Sequence, residues 1–261
     1  MVKIFNENCF DTMQRKEYLG SVDVILTSPP YNTGRTSTTH RSFENRETRY
    51  DVYLDDKTEE QYIDWSINLF LSYNEVLKQN GVVLYNISYG NEQPNTLWLV
   101  MAEIIKNTPF MIADCICWKK KSALPNNVSP NKLTRITEFV FVLCRKNEYE
   151  TFVTNKKVKS VSENGQNFYE NVFNFIEAKN NDGVCPYNQA TYSVELCEKL
   201  LLIYAKKGSL VYDSFMGSGT TALACKRLGL DCIGSELSSK QCEWANNRLN
   251  KDGNQVTFWN L

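Results

Sequence analysis

Apolar runs along the chain alternate with segments in which apolar residues recur at helical spacing. The runs are short and rich in β-branched residues, which predicts buried strands at 22–27, 82–87, 112–118, 139–144, 210–213 and 231–234. The helical spacing predicts helices over 59–78, 194–205, 220–228 and 239–249. Strands that alternate with helices indicate an α/β fold, with a mostly parallel sheet covered by helices on both faces.

Two segments interrupt this pattern within what we expect to be a single domain over residues 1–261. Residues 33–50 carry Ser, Thr, Arg and Asn with little apolar content, which predicts a long binding loop. Residues 145–185 are rich in Asn, Lys and aromatics, and we interpret them as a small recognition insertion.

Composition narrows the chemistry that the chain can perform. No apolar run approaches the ~20 residues that cross a bilayer, and the N-terminus lacks the features of a secretion signal, so we expect a cytoplasmic protein. Nine cysteines without a CxxC pair indicate reduced, mostly buried thiols, and we expect no metal site. The only histidine, His40, lies in the polar loop, so the chemistry must proceed without a histidine base.

The formal net charge of −1 does not by itself indicate a nucleic-acid partner. Basic residues are nevertheless clustered, and clusters that flank one cleft would form a binding surface for phosphates. They are Arg35, Arg41, Arg46 and Arg49 in the polar loop, Lys119, Lys120 and Lys121 after a strand, and Lys156, Lys157 and Lys159 in the insertion.

A glycine-bearing loop, Asp213-Ser214-Phe215-Met216-Gly217-Ser218-Gly219-Thr220-Thr221, connects a predicted strand to a predicted helix. Glycines there permit a tight turn and a close ligand, although a lone Gly-x-Gly is also common in plain turns. The loop lacks the Gly-Lys-Ser/Thr ending of a phosphate-binding loop. The next strand ends at Glu236, where a carboxylate could hold a ribose diol or simply favour the N-terminus of the last helix. Together the two features favour a cofactor that contains a nucleoside.

A second constellation, Thr27-Ser28-Pro29-Pro30-Tyr31-Asn32, follows the first predicted strand. The amino group of a base is a poor nucleophile, because its lone pair is delocalised into the ring. The Ser28 hydroxyl and the Pro29 carbonyl could accept its two hydrogens in a turn that the prolines stiffen, and Tyr31 could stack on an extruded base. A proline-rich strand exit with a packed tyrosine is the plainer alternative.

Taken together, the two motifs resemble the amino-methylating DNA methyltransferases. That family carries a Phe-x-Gly-x-Gly cofactor loop and an Asp/Asn/Ser-Pro-Pro-Tyr/Phe/Trp catalytic turn, here Phe215–Gly219 and Ser28–Tyr31. Because the turn precedes the loop, the order is that of the circularly permuted β-group. The resemblance implies a Rossmann-like methyltransferase fold with a seven-stranded sheet. The segment 188–193 departs from the His-Pro-Thr-x-Lys-Pro-like motif that the family has there.

The resemblance also implies residue roles. S-adenosylmethionine would be bound by Asn8, Cys9, Phe10, Thr27, Ser28, Asp213, Phe215, Gly217, Gly219, Thr220, Thr221 and Glu236. Of these, Glu236 would hold the ribose, the N-terminal trio would approach the adenine, and the glycine loop would wrap the methionine. Ser28, Pro29, Pro30 and Tyr31 would form the catalytic turn, with no covalent intermediate between enzyme and base.

In the family, serine at the first position of the turn is common among N4-cytosine enzymes, whereas adenine enzymes mostly carry aspartate. Ser28 therefore indicates a cytosine-N4 methyltransferase that acts on a flipped base in duplex DNA. An N6-adenine enzyme of the same fold is the alternative, and an inactive nucleotide-binding partner protein is a remote one. The polar loop and the lysines at 119–121 would contact DNA. We expect a prokaryotic restriction-modification system, with a cognate endonuclease as a potential partner, and a monomer or homodimer.

Overall fold

A computed structural model describes residues 1–32, 52, 56–89, 93–123, 125–127, 129–183, 185–188 and 191–253. The strands are β1 (Val2–Phe5), β2 (Val22–Thr27), β3 (Leu77–Ile87), β4 (Phe110–Lys120), β5 (Thr137–Arg145), β6 (Val158–Val161), β7 (Asn167–Tyr169), β8 (Phe175–Ala178), β9 (Leu210–Asp213) and β10 (Asp231–Ser235). The helices are α1 (Cys9–Met13), α2 (Glu59–Val76), α3 (Thr96–Asn107), α4 (Val194–Tyr204), α5 (Thr220–Leu228) and α6 (Ser239–Lys251).

One large sheet organises the molecule, with strand order β1-β10-β9-β2-β3-β5-β4-β8. Strand β5 is antiparallel to β3 and β4, and the other pairings are parallel. The mostly parallel α/β sheet is thereby confirmed, with eight strands where seven were expected. The additional strand, β8, extends the edge beside β4 and lies in the segment that was predicted to be irregular. It has four residues, too few for its alternation of exposed and buried positions to be distinctive.

Alternating residues of the central strands enter two separate cores, one on each face of the sheet. Val24 and Leu26 of β2 pack in the core that includes residues of α4 and α5, whereas Ile25 packs in the core that includes residues of α1, α2 and α3. The period of two in a strand accounts for this division. Helices therefore cover both faces, as the sequence predicted.

The order of the strands reverses direction between β2 and β9, which are parallel neighbours in the middle of the sheet. From β9 the sheet continues through β10 to β1, and from β2 it continues through β3. Connections on the two sides diverge, so a crevice opens at the carboxyl ends of these two strands. The loops after Thr27 and Asp213 leave the sheet at this crevice.

Some local boundaries differ from the prediction. Helix α2 ends at Val76 and β3 begins at Leu77, whereas the helix was expected to continue to residue 78 and the strand to begin at 82. Arg145 explains the earlier end, because its guanidinium donates to the carbonyls of Asn74 and Leu77 at 2.8 and 2.7 Å. Strand β1 and helices α1 and α3 were not predicted. Within the described ranges, no helix combines the length and apolarity required to cross a membrane.

Candidate functional site

The proline turn and the glycine loop meet at the crevice. Thr27, the last residue of β2, donates its hydroxyl proton to Asp213 Oδ1 over 2.7 Å, and its oxygen lies 3.2 Å from Ser214 Oγ. These residues are separated by 186 positions along the chain but end adjacent strands. The two motifs therefore form one site.

Asp213 organises the start of the glycine loop. Its carboxylate is 1% exposed and accepts hydrogen bonds from the Phe215 backbone N–H at 3.0 Å, from Thr221 Oγ1 at 2.6 Å and from the Tyr192 hydroxyl at 3.1 Å, besides the bond from Thr27. Burial raises the pKa of Asp213, and the donors around it oppose that shift. With its oxygens directed at these four groups, Asp213 holds the loop in shape and does not line the cavity described below.

Backbone geometry explains the glycines of the loop. Gly217 has φ of 52° and Gly219 has φ of 81°, in the left-handed region where a side chain is disfavoured. A Cβ on Gly219 would in addition lie 2.7 Å from the Cβ of Ala245 in α6. The turn thus brings backbone N–H groups to the start of α5, and the Gly217 N–H donates to Glu236 Oε2 over 2.8 Å.

An open cavity lies between the two motifs, with a volume of about 950 Å³ when the solvent space at its mouth is included. Among the residues predicted to bind the cofactor, those that line it are Asn8, Cys9, Ser28, Phe215, Gly217, Thr220 and Glu236. The others predicted for the same role do not line it and lie behind its wall, namely Phe10, Thr27, Asp213, Gly219 and Thr221. Pro30 of the turn also contributes to the lining, whereas Pro29 and Tyr31 do not.

Several lining residues were not predicted. Trp65 of α2 places its ring 5.6 Å from that of Phe215, and stacks at the same centroid distance on Tyr62. Tyr192 and Gln241 line the cavity from other parts of the chain. Trp65 occupies one position of an amphipathic helix and resembles a core residue in sequence, so no local signal distinguishes it. Tyr192 lies in the segment that departs from the family motif, and that position was the available clue.

The polar groups and the apolar walls of the cavity fit a sulfonium nucleoside. Glu236 lines the cavity and accepts from the backbone N–H groups of Gly217 and Ser238 at 2.8 and 2.9 Å, so an acceptor of the kind that binds ribose hydroxyls is held at the wall. Trp65 and Phe215 provide flat apolar surface for the rest of a nucleoside. Burial raises the pKa of the Cys9 thiol to about 12, so Cys9 is a neutral wall residue and no nucleophile.

The proline turn is held rigidly from behind. The Tyr62 hydroxyl donates to the Pro30 carbonyl over 2.6 Å, and both prolines are buried. Asn32, with φ of 51°, bonds the backbone of Lys57 through both ends of its amide, at 2.8 and 3.0 Å. These contacts leave the half-buried Ser28 at the cavity wall with its backbone fixed.

The Tyr31 hydroxyl lies among three oxygen atoms. It is 3.0 Å from Ser28 Oγ, 3.1 Å from Asn86 Oδ1 and 3.2 Å from Glu138 Oε2. Asn86 is the second-last residue of β3 and Glu138 is the second residue of β5. The Tyr31 hydroxyl therefore connects the turn to these two strands. Neither Asn86 nor Glu138 was among the predicted site residues, because their proximity arises from strand pairing.

The lysines predicted to contact DNA lie at the edge of the sheet where the crevice opens, because β4 runs in the same direction as β3. Each is paired with a carboxylate: Lys119 with Glu177 at 2.8 Å, Lys121 with Glu195 at 3.5 Å, and Lys120 with Glu138. Arg35, Arg41, Arg46 and Arg49 of the 33–50 loop, with His40, fall outside the described residues. The described part of the chain contains no cluster of three potential metal ligands.

Comparison with known proteins gives consistent matches. The model of the DNA methylase family matches residues 22–247. The orphan methyltransferase M.BamHII of Bacillus amyloliquefaciens is 25% identical over 269 residues, which cover 90% of this chain and 91% of that protein. The solved structure of PvuII DNA methyltransferase, named as cytosine-N4-specific, has a TM-score of 0.68 at 17% identity and covers 96% of this chain and 93% of its own. That of M1.HpyAVI in complex with SAM has a TM-score of 0.61 at 22% identity and covers 96% and 100%.

Proposed function

The chain belongs to the DNA methylase family and uses S-adenosylmethionine, and on that premise we propose that it methylates N4 of cytosine in duplex DNA. The observation that carries the proposal is the contact between Thr27 and Asp213, which joins the proline turn to the cofactor loop. Ser28 stands next to Thr27 and lines the same cavity as Phe215 and Glu236. A base amino group held at Ser28 would therefore be within reach of a methyl donor in that cavity.

Bound S-adenosylmethionine supplies an electrophilic methyl group on a sulfonium. Glu236 would accept the two ribose hydroxyls, Asn8 and Cys9 would border the adenine, and Thr220 at the start of α5 would face the methionine portion. Asp213, Gly219 and the residues behind the wall would act by shaping the loop. The protein contributes binding, orientation and exclusion of water, with no covalent intermediate.

Activation of the amino group would come from two acceptors in the turn. Ser28 Oγ and the Pro29 carbonyl would each take one N–H, which draws the nitrogen towards tetrahedral geometry and frees its lone pair. Tyr62 already bonds the Pro30 carbonyl, and this contact helps to fix the turn. Acceptors that are fixed before the reaction require little reorganisation in the transition state.

Serine in the turn favours cytosine over adenine. N6 of adenine is the alternative acceptor. The test is to incubate the protein with unmethylated DNA and isotopically labelled S-adenosylmethionine, digest the DNA and separate the nucleosides. N4-methyl-2′-deoxycytidine is the expected labelled product. Labelled N6-methyl-2′-deoxyadenosine would overturn the choice of base, and no labelled nucleoside would favour an inactive nucleotide-binding partner protein.

The variant Ser28→Ala tests the role of the turn in the same assay. It removes one acceptor, and an acceptor of this type contributes about 10²- to 10³-fold to turnover. We expect that loss with unchanged affinity for S-adenosylmethionine in calorimetry, because Glu236 and the glycine loop are untouched. An equal loss of cofactor binding would assign Ser28 a structural role.

We further propose that DNA is held by Arg35, Arg41, Arg46 and Arg49, by the lysines at 119–121, and by the recognition segment around 145–185. Lys119 and Lys121 would exchange their carboxylate partners for phosphates on binding, and such contacts weaken steeply with salt. Measuring DNA affinity against salt concentration for Arg-to-Ala variants of the loop tests this, since each lost phosphate contact reduces the slope by about one. We also propose that the protein belongs to a restriction-modification system with a cognate endonuclease, and that it is located in the cytoplasm.

A further inference from the structure

The Tyr31 hydroxyl can donate only one proton, and its surroundings determine where that proton points. Asn86 donates its Nδ2 to the Phe139 carbonyl over 3.0 Å, which turns the amide oxygen towards Tyr31. Glu138 presents a carboxylate oxygen at 3.2 Å. Both neighbours are therefore acceptors, and Tyr31 is the donor to them.

The same argument orients Ser28. Because the proton of Tyr31 is directed at Asn86 and Glu138, the 3.0 Å contact between Tyr31 and Ser28 is a bond that Ser28 donates. The serine proton is thus occupied, and Ser28 Oγ, on a residue that lines the cavity, can still act as an acceptor. Ser28 therefore presents an acceptor to a base amino group, as the reaction requires.

The chain of hydroxyls ends at a charged pair near the surface. Lys120 forms an ion pair with Glu138 Oε1, while Oε2 accepts from Tyr31. The side chains of Lys120 and Glu138 are 24% and 15% exposed, so the carboxylate can exchange protons with solvent. Lys120 also lies 5.1 Å from the centre of the Trp118 ring, which helps to hold it in place. Ser28, Tyr31 and Glu138 thus connect the cavity to water.

We propose that Glu138 is a positioning residue that receives, through Tyr31 and Ser28, the proton that the amino group loses on methylation; this rests on the proposed function. The N–CH₃ bond forms as the C–S bond breaks. The electron pair of the C–S bond remains on sulfur, and the nitrogen becomes positively charged. The nitrogen then passes one proton to Ser28 Oγ, Ser28 passes its own to Tyr31, and Tyr31 passes its own to Glu138. The positive charge of the sulfonium has then moved, as a proton, to the carboxylate of Glu138 and neutralised it. The neutral Glu138 returns the proton to water.

The test compares Glu138→Gln, Tyr31→Phe and the double variant. Gln retains the size of Glu138 but cannot take up the proton, and Phe retains the ring of Tyr31 without the hydroxyl. Glu103→Gln is the matched control, because Glu103 also forms an ion pair with a lysine, Lys106 of α3, but neither lines the cavity nor contacts Tyr31. The measurements are the single-turnover rate of methyl transfer at saturating DNA, the calorimetric affinity for S-adenosylmethionine, and the thermal unfolding temperature.

We expect Glu138→Gln to slow the single-turnover rate by about a hundredfold, the low end of what a positioned proton acceptor contributes. Tyr31→Phe should slow it similarly, and the double variant should be no slower than the slower single one, because both changes interrupt one path. Cofactor affinity and unfolding temperature should match those of Glu103→Gln. If Glu138→Gln does not fold, the rate of Tyr31→Phe tests the proposal by itself, since that variant leaves the Glu138–Lys120 pair intact.

The proposal is wrong if Glu138→Gln transfers methyl as fast as Glu103→Gln, if Tyr31→Phe has the wild-type rate, or if the two effects multiply. Losses that multiply would mean that the two side chains act independently. Failure of the proposed function looks different, since the wild-type protein itself would then transfer no methyl group to cytosine.

Discussion

Gly219 combines two constraints whose costs can be measured separately. Its φ of 81° is in the left-handed region, where an alanine costs about 1–2 kcal/mol. In Gly219→Ala the new Cβ would also lie 2.7 Å from Ala245 Cβ and 3.1 Å from Ala245 Cα, and relieving such overpacking costs about 1–3 kcal/mol. We therefore expect Gly219→Ala to lower the free energy of unfolding by about 2–5 kcal/mol in total.

Gly229 provides the matched control. It ends α5 with φ of 67°, and a Cβ there would meet nothing within 4 Å. Gly229→Ala should therefore cost only the backbone part, about 1–2 kcal/mol. The assay is urea unfolding of each variant without S-adenosylmethionine, so that binding does not contribute to stability.

The packing part can be isolated by a cycle with Ala245→Gly. In that background the 2.7 Å contact no longer exists and only the 3.1 Å contact with the Cα of residue 245 remains, so adding Gly219→Ala should cost less than in the native background and approach the cost of Gly229→Ala. Equal destabilisation by Gly219→Ala and Gly229→Ala in the native background would refute the packing argument. Unchanged destabilisation by Gly219→Ala in the Ala245→Gly background would refute it as well.

Three further predictions concern the buried and charged groups. Thr27→Val removes one of the four donors to the buried Asp213, so it should destabilise the fold by about 1–3 kcal/mol in urea unfolding, and a loss below about 0.5 kcal/mol would contradict the role of this bond. Glu236→Gln should weaken S-adenosylmethionine binding by at least about tenfold in calorimetry, because a charged acceptor for the ribose is lost, and an unchanged affinity would place the ribose elsewhere. Lys199 and the backbone N–H of Lys179 lower the pKa of Glu195 from 4.5 to about 2, so its stabilisation is present above pH 4.5 and is lost as pH falls towards 2. The stability advantage of the wild type over Glu195→Gln should therefore narrow between pH 6 and pH 3, and a constant difference would contradict it.

Local patterns in the chain were sufficient to predict the class of fold and both motifs. Apolar periodicity identified the six strands and four helices that surround the crevice, because the periods of strands and helices are properties of a few consecutive residues. The prolines at 29 and 30 and the glycines at 217 and 219 indicated special backbone geometry for the same reason. The positive φ of both glycines shows why these residue types stand there.

Short elements without a distinctive pattern escaped prediction. Strand β8 has four residues and β1 has four, and each is stabilised by a neighbouring strand that lies far away in sequence. The end of α2 was misplaced because Arg145, which bonds its last carbonyls, lies about 70 residues downstream. In each case the deciding interaction is a long-range one.

The amino-acid sequence by itself determined which chemistry the chain carries: a cofactor loop, a proline-stiffened turn and the carboxylate of Glu236 after the last predicted strand. Tertiary structure decided which of these side chains face the cavity and which support it, with Asp213 behind the wall and Trp65 in it. It also brought Glu138 to the hydroxyl of Tyr31, and Lys120 to Glu138, through the pairing of β3, β5 and β4. Backbone preferences are local and depend on neighbouring residues, whereas the partner of a side chain depends on which strands become adjacent when the sheet assembles.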